Sequence, residues 1–274
     1  MYTPRAFALD DLPELQQLIQ HTRLAQLVTF GEQGLQASHL PLLLNPDEGP
    51  NGTLYGHLAK ANPQWHDLQN GSDAQDVLDS AQWFTGLLLT ASAEQLQAPA
   101  GDVEWSCWRT AEHVGDDLLA YALQLAAQAP DDYLPLLAAD GSDDVVRVDP
   151  AAGPDGLAAS VRALATLLAA QVSAADPDAR AFHPHGISDA AGFAAMGVVE
   201  LLVHGYDVAR GLGVDVGPGR PHALPAAPAA RAVARLFDTP PSSRPEAALL
   251  WCTGRIALPG IPRLSRWRWD STVR

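Results

Sequence analysis

The 274-residue sequence is poor in basic residues, in cysteine and in long apolar runs, and each shortage excludes a class of protein. Lysine occurs once, at Lys60, and the formal net charge is −15, so a polyanion such as DNA would be repelled and we expect no nucleic-acid partner. Two cysteines, Cys107 and Cys252, are too few for a disulfide framework or a thiolate zinc cluster. No apolar run reaches the ~18 residues of a membrane span, and the first residues lack a signal-peptide pattern. We therefore expect no membrane partner and a cytoplasmic location.

The residue pattern changes near residue 75, from short strands to long helices. Before that point, apolar spacing predicts a helix around residues 12–19. Strand-like runs follow at 24–30, 35–44 and 53–59. Beyond residue 75, helical spacing predicts four long segments, at 75–98, 106–128, 153–175 and 188–213. Asp102 or Ser106 is the candidate N-cap of the second of these segments, and Ser188 is that of the fourth.

A proline-rich stretch at 217–228 separates the long helices from a C-terminal piece with one helix near 229–238 and a strand-like run at 248–258. Four long amphipathic segments with linkers are typical of a four-helix bundle. We therefore predict an α+β, mainly α, chain. Its predicted domains are an N-terminal piece of one helix and three strands, a helical bundle and a small C-terminal α/β subdomain, over residues 1–74, 75–216 and 217–274.

Three side chains on two predicted helices have the spacing of metal ligands. Glu200 and His204 are four residues apart, so both point from one helix face, and His113 lies mid-helix among apolar residues. If the two helices meet, the three side chains would form a site with an open position, as in catalytic zinc sites. Alternatively, Glu200 and His204 form a surface pair and His113 is a packed core histidine. Apolar neighbours of Glu200 favour a buried carboxylate that needs a compensating partner.

Other polar residues lie near these candidates in the sequence. Asp207 follows His204 by three residues, and Asp116 and Asp117 follow His113 by three and four, so their carboxylates can orient the imidazoles. Two further histidines precede the fourth long helix, His183 and His185, which either line the pocket mouth or are solvated loop residues. Cys107, at the start of the second helix, is expected to be a buried structural cysteine.

Residues ~80–274 resemble the mycothiol-dependent maleylpyruvate isomerase family, which contains a DinB-like metal-binding bundle. The runs that carry the resemblance are GDVEWSCWRTAEHVGDDLLAYA, HPHGISDAAGFAAMGVVELLVHGYDVARGLG and LLWCTGRIALPG followed by WRW. The resemblance implies that His113, Glu200 and His204 bind zinc or another divalent metal, with mycothiol as the thiol cosubstrate. In the family's reaction, a thiolate adds to a cis double bond, and rotation and elimination give the trans isomer.

A dicarboxylate substrate of that kind would be held by arginine, because a guanidinium matches a carboxylate with two hydrogen bonds. Arg255, in WCTGRIALPG, is the first candidate for this catalytic role, and Arg210 is the second. The alternative for Arg255 is an ordinary exposed residue at the end of a strand.

Residues 1–73 resemble the start of the PaiB-type FMN-binding negative transcriptional regulators, which fold as a split β-barrel. The matching runs are MYTPRAFALDDLPELQQLI, LVTFGEQGLQASHLPLLL and GTLYGHLAKANPQW. The resemblance implies that His39 and His57 contact phosphate or flavin. Half a barrel cannot enclose an isoalloxazine ring, so we expect FMN binding only where a partner chain completes the sheet. The alternative is a truncated relic or fused gene fragment that packs as an accessory layer. An unpaired sheet edge predicts a homodimer through this segment.

Three functions are therefore open. The first is a metal- and thiol-dependent isomerase or transferase acting on a small electrophile. The second is an FMN-binding, regulator-like module. The third is a DinB-type metal-binding stress protein without turnover.

Overall fold

The computed structural model describes residues 11–22, 24–31, 34–46, 53–57, 59, 62, 64, 72–142, 144–238, 240–242 and 244–273. The chain divides into two compact units, Met1–Gln69 and Asn70–Arg274. Within the described residues the structure is α+β and mainly α, as the sequence predicts. The described residues form seven α-helices and two small sheets.

The first unit contains one helix and two β-hairpins in its described part. Helix α1 is capped by Asp11, whose carboxylate accepts the N–H of Glu14 at 2.9 Å. Strands β1 and β2 pair antiparallel, and β3 and β4 form a second antiparallel pair. The bounds of these elements are α1 Leu12–His21, β1 Ala25–Gly31, β2 Gly34–Leu40, β3 Leu42–Asn45 and β4 Thr53–Gly56.

The predicted strand at 35–44 is two strands in the structure. It divides at Pro41, which lacks the N–H that a continuous ladder needs. The predicted strand at 53–59 is shorter in the structure and ends at Gly56. Helix α1 has no buried residue, so the described part of this unit has little core of its own.

The second unit is built around four long helices, followed by two shorter ones. Their bounds are α2 Ala74–Leu88, α3 Cys107–Ala127, α4 Gly153–Ala174, α5 Ala190–Leu212, α6 Ala226–Leu236 and α7 Pro245–Cys252. Helix α4 packs against α2 and α3, and α5 packs against α2, α3 and α4. Of the shorter helices, α6 packs on α5, and α7 packs on α6. The assignment of these helices to a DinB-like four-helix bundle stays a prediction.

Local capping explains where the helices begin and end. Ser106 caps α3, as predicted, by accepting the N–H of Arg109 at 3.2 Å. Helix α2 ends ten residues before the predicted end at 98, because Ser92 and Gln95 cap each other and start a separate 3₁₀ turn. Ser188 does not cap α5: the neighbouring Asp189 accepts the N–H of Gly192 at 2.8 Å instead.

The predicted C-terminal strand at 248–258 is wrong. Its first half belongs to α7, with Pro245 in the first helical turn, and its second half has no regular structure beyond a bridge between Leu258 and Ile261. A short apolar run is compatible with a buried helix as well as with a strand, and the proline at the first position favours the helix. The described part of the predicted α/β subdomain is therefore helical and irregular.

Two segments are long and apolar enough to cross a membrane by length and composition alone, Pro150–Ala174 and Ala190–Leu212. This is weak evidence, because the core helices of soluble proteins have the same composition. In α5, 89% of the apolar window is buried inside the protein, which identifies α5 as a core helix.

Candidate metal centre

Helix α5 holds Glu200 and His204 inside the protein. The two residues are 8% and 9% exposed, so the alternative of a surface pair does not hold. Because they are one turn apart on one face, the Nε2 of His204 lies 3.4 Å from the Oε2 of Glu200. Nearly every other residue of this helix is also buried, so the pair lies in an apolar environment.

Helix α3 brings His113 to the same place. Its ring centroid lies 5.2 Å from that of His204, with the rings edge to face. One ligand atom from each of His113, Glu200 and His204 lies within 4.8 Å of the other two. Two imidazoles and one carboxylate are a donor set suited to zinc and to other divalent ions, and three protein ligands leave room for a further ligand.

Asp207 and Arg255 extend the cluster behind His204. The Oδ2 of Asp207 lies 3.3 Å from the Nδ1 of His204, although the angle between them falls short of a full hydrogen bond. Arg255 holds the same carboxylate, with Nη2 donating to Oδ2 at 2.8 Å and Nε donating to Oδ1 at 3.2 Å. The remaining nitrogen of Arg255, Nη1, donates to the carbonyl of Thr253 at 2.9 Å. The predicted role of Asp207 beside His204 thus has a geometric basis.

Tyr121 and Asp117 extend the cluster along α3. The Oδ2 of Asp117 lies 3.2 Å from the Nε2 of His113, and the hydroxyl of Tyr121 donates to the Oε1 of Glu200 at 3.2 Å. Sequence reasoning missed Tyr121. The signal that could have identified it is the spacing of four residues between His113, Asp117 and Tyr121, which places all three on one helix face. Asp116 points elsewhere and accepts the backbone N–H groups of the loop at 145–146.

Burial and opposing charges set the pKa values of the cluster. Burial, aided by the nearby charge of His204, lowers the pKa of His113 to about 4. Burial also disfavours the charged form of His204, but Asp207 and Glu200 outweigh it and raise its pKa to about 9. Burial and the facing Glu200 raise the pKa of Asp117. Two carboxyl groups facing each other beside two imidazoles form a place where a cation would be stabilised.

A cavity of about 410 Å³ lies against His113. It is lined by residues of α3 and of the loop that follows this helix. The ring of Trp105 lies over the imidazole of His113, with centroids 4.6 Å apart. The candidate metal centre therefore adjoins a space large enough for a small organic molecule.

The remaining predicted site residues lie outside this cluster. Arg210 pairs with Asp102 at 3.0 Å, and both side chains are about two-fifths exposed. In the first unit, His39 and His57 are exposed. Their predicted contact with flavin or phosphate stays a prediction, as does the catalytic role of Arg210.

The two loop histidines differ from each other in the structure. His183 is buried, and its Nδ1 accepts the backbone N–H of His185 at 3.1 Å. Its ring packs edge to face against Tyr121, with centroids 6.0 Å apart, so His183 supports the residue that holds Glu200. Cys107 is buried, as expected, and burial raises the pKa of its thiol to about 11.

Comparison with protein families supports the predicted fusion. Residues 77–209 match the family described as mycothiol maleylpyruvate isomerase N-terminal domain. Residues 1–85 match the family described as "Putative FMN-binding domain". No curated protein and no solved structure matched the chain. The two predicted resemblances are confirmed, and all three candidate metal ligands lie within residues 77–209.

Proposed function

We propose that this protein is a divalent-metal-dependent enzyme of thiol chemistry, acting in the cytoplasm with mycothiol as the thiol and a small electrophile as the second substrate. The observation that carries the proposal is the convergence of His113, Glu200 and His204 within 4.8 Å, beside a cavity. The family match over residues 77–209 supports mycothiol as the thiol. The reaction class is thiol addition with isomerisation, or thiol transfer.

His113, Glu200 and His204 would hold the ion, and zinc is the first candidate because two imidazoles and a carboxylate suit it. When bound, such an ion lowers the pKa of a thiol at its open position, so that a thiolate is available at neutral pH. The cavity beside His113 receives the second substrate.

The surrounding residues orient the ligands. Tyr121 fixes the carboxylate of Glu200 through its hydroxyl, and the Oδ2 of Asp117 lies 3.2 Å from the Nε2 of His113. Asp207 lies against His204 and is itself held by two nitrogens of Arg255. Partners of this kind fix ring orientation and raise the basicity of the ligands.

Arg255 acts in this proposal as a positioning residue. All three of its guanidinium nitrogens have protein acceptors, two on Asp207 and one on Thr253. Most of the guanidinium is thus engaged by the protein, which favours a positioning role over the predicted use of Arg255 as a substrate clamp.

Metal analysis of the purified protein tests the proposal. We expect about one equivalent of divalent metal in the wild type, and a loss of affinity of at least about tenfold in His113→Ala and Glu200→Ala. The matched control is His222→Ala, a histidine outside the cluster, which should keep the metal. Mycothiol-dependent turnover of a test electrophile should then disappear in Glu200→Ala. Metal binding without thiol-dependent turnover would replace the proposal with a non-catalytic metal-binding protein of the DinB type.

The family match over residues 1–85 favours a second candidate function, FMN binding by the first unit. His39 and His57 are the residues proposed to contact the flavin, with a partner chain completing the sheet. A yellow protein with flavin absorbance that is lost in His39→Ala would support this function. Colourless protein that takes up no added FMN would exclude it.

A further inference from the structure

The cavity beside His113 has a partly apolar lining. Residues of α3 and of the loop that follows this helix contribute to it. The apolar residues that line it are Leu119, Ala120, Leu123, Leu134 and Leu136. The aromatic rings of Trp105 and Tyr133 lie at the same cavity. An organic group of modest size would be taken out of water here.

The charged residues that line the same cavity are acidic. Three of its lining residues are aspartates, Asp116, Asp117 and Asp144. Asp116 accepts the N–H groups of Val145 and Val146 through Oδ1, at 2.6 and 2.8 Å, and neutral donors of this kind stabilise the charge without cancelling it.

Positive charge near the cavity is already paired. Among the described residues that line it, none is lysine or arginine. The nearest guanidinium is that of Arg109, which contacts Asp144 and also lies 3.3 Å from Glu112. One guanidinium shared by two carboxylates leaves this lining with a net negative charge, and Asp116 adds to it because its N–H partners are neutral.

We propose that this cavity binds a cationic amphiphile, an ammonium group on an apolar body, as the second substrate, and that it selects against dicarboxylates. The inference rests on the proposed function, since it assigns the substrate class of the cavity beside the metal centre. An ammonium group would be stabilised by Asp116 and Asp144, and the apolar body attached to it would pack against the leucines that line the cavity. Trp105 and Tyr133 add aromatic faces that attract cations. A dicarboxylate would lose hydration beside uncompensated carboxylates, which selects against it.

Matched probes of opposite charge test this preference. Isothermal titration calorimetry compares 2-phenylethylammonium with 3-phenylpropionate, which have the same ring and similar length, and adds maleate as a dicarboxylate. Each titration is run on metal-loaded and on metal-free protein, because a carboxylate can also bind the metal directly. We expect the ammonium probe to bind at least about fivefold more tightly than either anion in both forms.

Variants distinguish the contribution of the acidic residues to probe binding from that of the apolar lining. Asp144→Asn should reduce the preference for the ammonium probe several-fold, because it removes a negative charge from the cavity and a negatively charged partner from Arg109. Asp116→Asn should act in the same direction, and Ala120→Phe, which fills the cavity, should weaken both aromatic probes. Glu94→Gln, which removes an exposed carboxylate elsewhere, is the matched control and should leave the ratio unchanged.

Two outcomes would overturn the inference. One is that 3-phenylpropionate or maleate binds the metal-free protein as tightly as the ammonium probe. The other is that Asp144→Asn folds normally and keeps the wild-type ratio. Failure of the proposed function has a different signature, which is absence of metal from the wild type. The ratio of the affinities for the ammonium and anionic probes is measured on metal-free protein and so does not depend on whether the wild type contains metal.

Discussion

At the scale of single residues, Tyr121 links the interior of the protein to the candidate metal centre. Its hydroxyl donates to Glu200 at 3.2 Å, and its ring packs against Phe193 and His183. We predict that Tyr121→Phe lowers metal affinity about tenfold while the fold is retained, because the carboxylate loses the donor that orients it. Competition with a chromogenic chelator measures this loss.

Tyr133→Phe is the control for Tyr121→Phe. Tyr133 lines the cavity and packs against His183, but Glu200 takes its hydrogen bond from Tyr121. We expect Tyr133→Phe to keep wild-type metal affinity. Equal losses in the two variants would show that removing any nearby hydroxyl has the same effect, and the positioning role of Tyr121 would be wrong.

His183 predicts a pH dependence of stability. Burial, with a smaller contribution from His185, lowers the pKa of His183 from 6.5 to about 4. The unfolded chain therefore binds the proton more readily, so the stability from neutral His183 is complete above about pH 6.5 and is lost as pH falls toward about 4. Between about pH 7.5 and about pH 5 we expect its contribution to fall by roughly 2 kcal/mol.

Urea unfolding of metal-free wild type and His183→Asn at the two pH values measures this contribution. The difference between the two proteins should shrink on acidification, because the other titrating groups are common to both. A difference that is constant with pH would contradict the prediction and would mean that His183 titrates normally in the folded state.

At the scale of elements, the start of α5 depends on Asp189 rather than on Ser188. The Oδ1 of Asp189 accepts the N–H of Gly192 at 2.8 Å and a bond from the buried Arg235 at 3.0 Å. Among the described residues, the buried hydroxyl of Ser188 has no hydrogen-bond partner. We predict that Asp189→Ala destabilises the protein by about 2–4 kcal/mol, because it removes a cap and leaves a buried guanidinium without its carboxylate.

Ser188→Ala is the matched variant and should cost less than about 1 kcal/mol, since no hydrogen bond is lost. Thermal or urea unfolding of both variants gives the comparison. A cost for Ser188→Ala equal to that for Asp189→Ala would restore Ser188 as the cap.

The sequence predicts the long helices because the physical signal is local. Apolar periodicity and nearby caps such as Ser106 are contained within a few residues. The run at 248–258 has no such periodicity, and its helix is stabilised by packing against α6, which the sequence does not show. The strand break at Pro41 was readable in principle, because proline lacks the N–H of a ladder.

The candidate site was predictable to a similar extent. The pairing of Glu200 with His204 follows from helix geometry, and the structure places the two side chains together. Whether His113 reaches Glu200 and His204 depends on how α3 and α5 pack. Local sequence patterns do not determine this packing, so only the family resemblance predicted that the three side chains meet. The interaction of Arg255 with Asp207 joins residues far apart in the chain, and no local pattern predicts it.

At the scale of the whole molecule, the first unit exposes apolar side chains in its described part. These include Leu24, Val28, Leu43, Leu54 and Tyr55. In the described residues the strands form separate two-stranded sheets, which are marginal without further cover. We predict that two copies of the chain associate through this unit, where a second copy would cover these side chains.

Sedimentation velocity tests the association. Leu43→Lys replaces a side chain that is 71% exposed and should convert the dimer to monomer. The control is Leu137→Lys in the second unit, where the side chain is 69% exposed, and it should leave the dimer intact. A monomeric wild type would contradict the prediction.

The candidate metal ligands lie on α3 and α5, separated by the whole of α4 in the chain. During synthesis, the ribosome releases His113 long before Glu200 and His204, so the nascent chain cannot capture an ion with all three ligands until α5 has emerged. Metal acquisition through these three ligands would therefore be a late event in the maturation of this protein. A truncated translation product that ends before α5 would leave the ribosome without this means of retaining the ion.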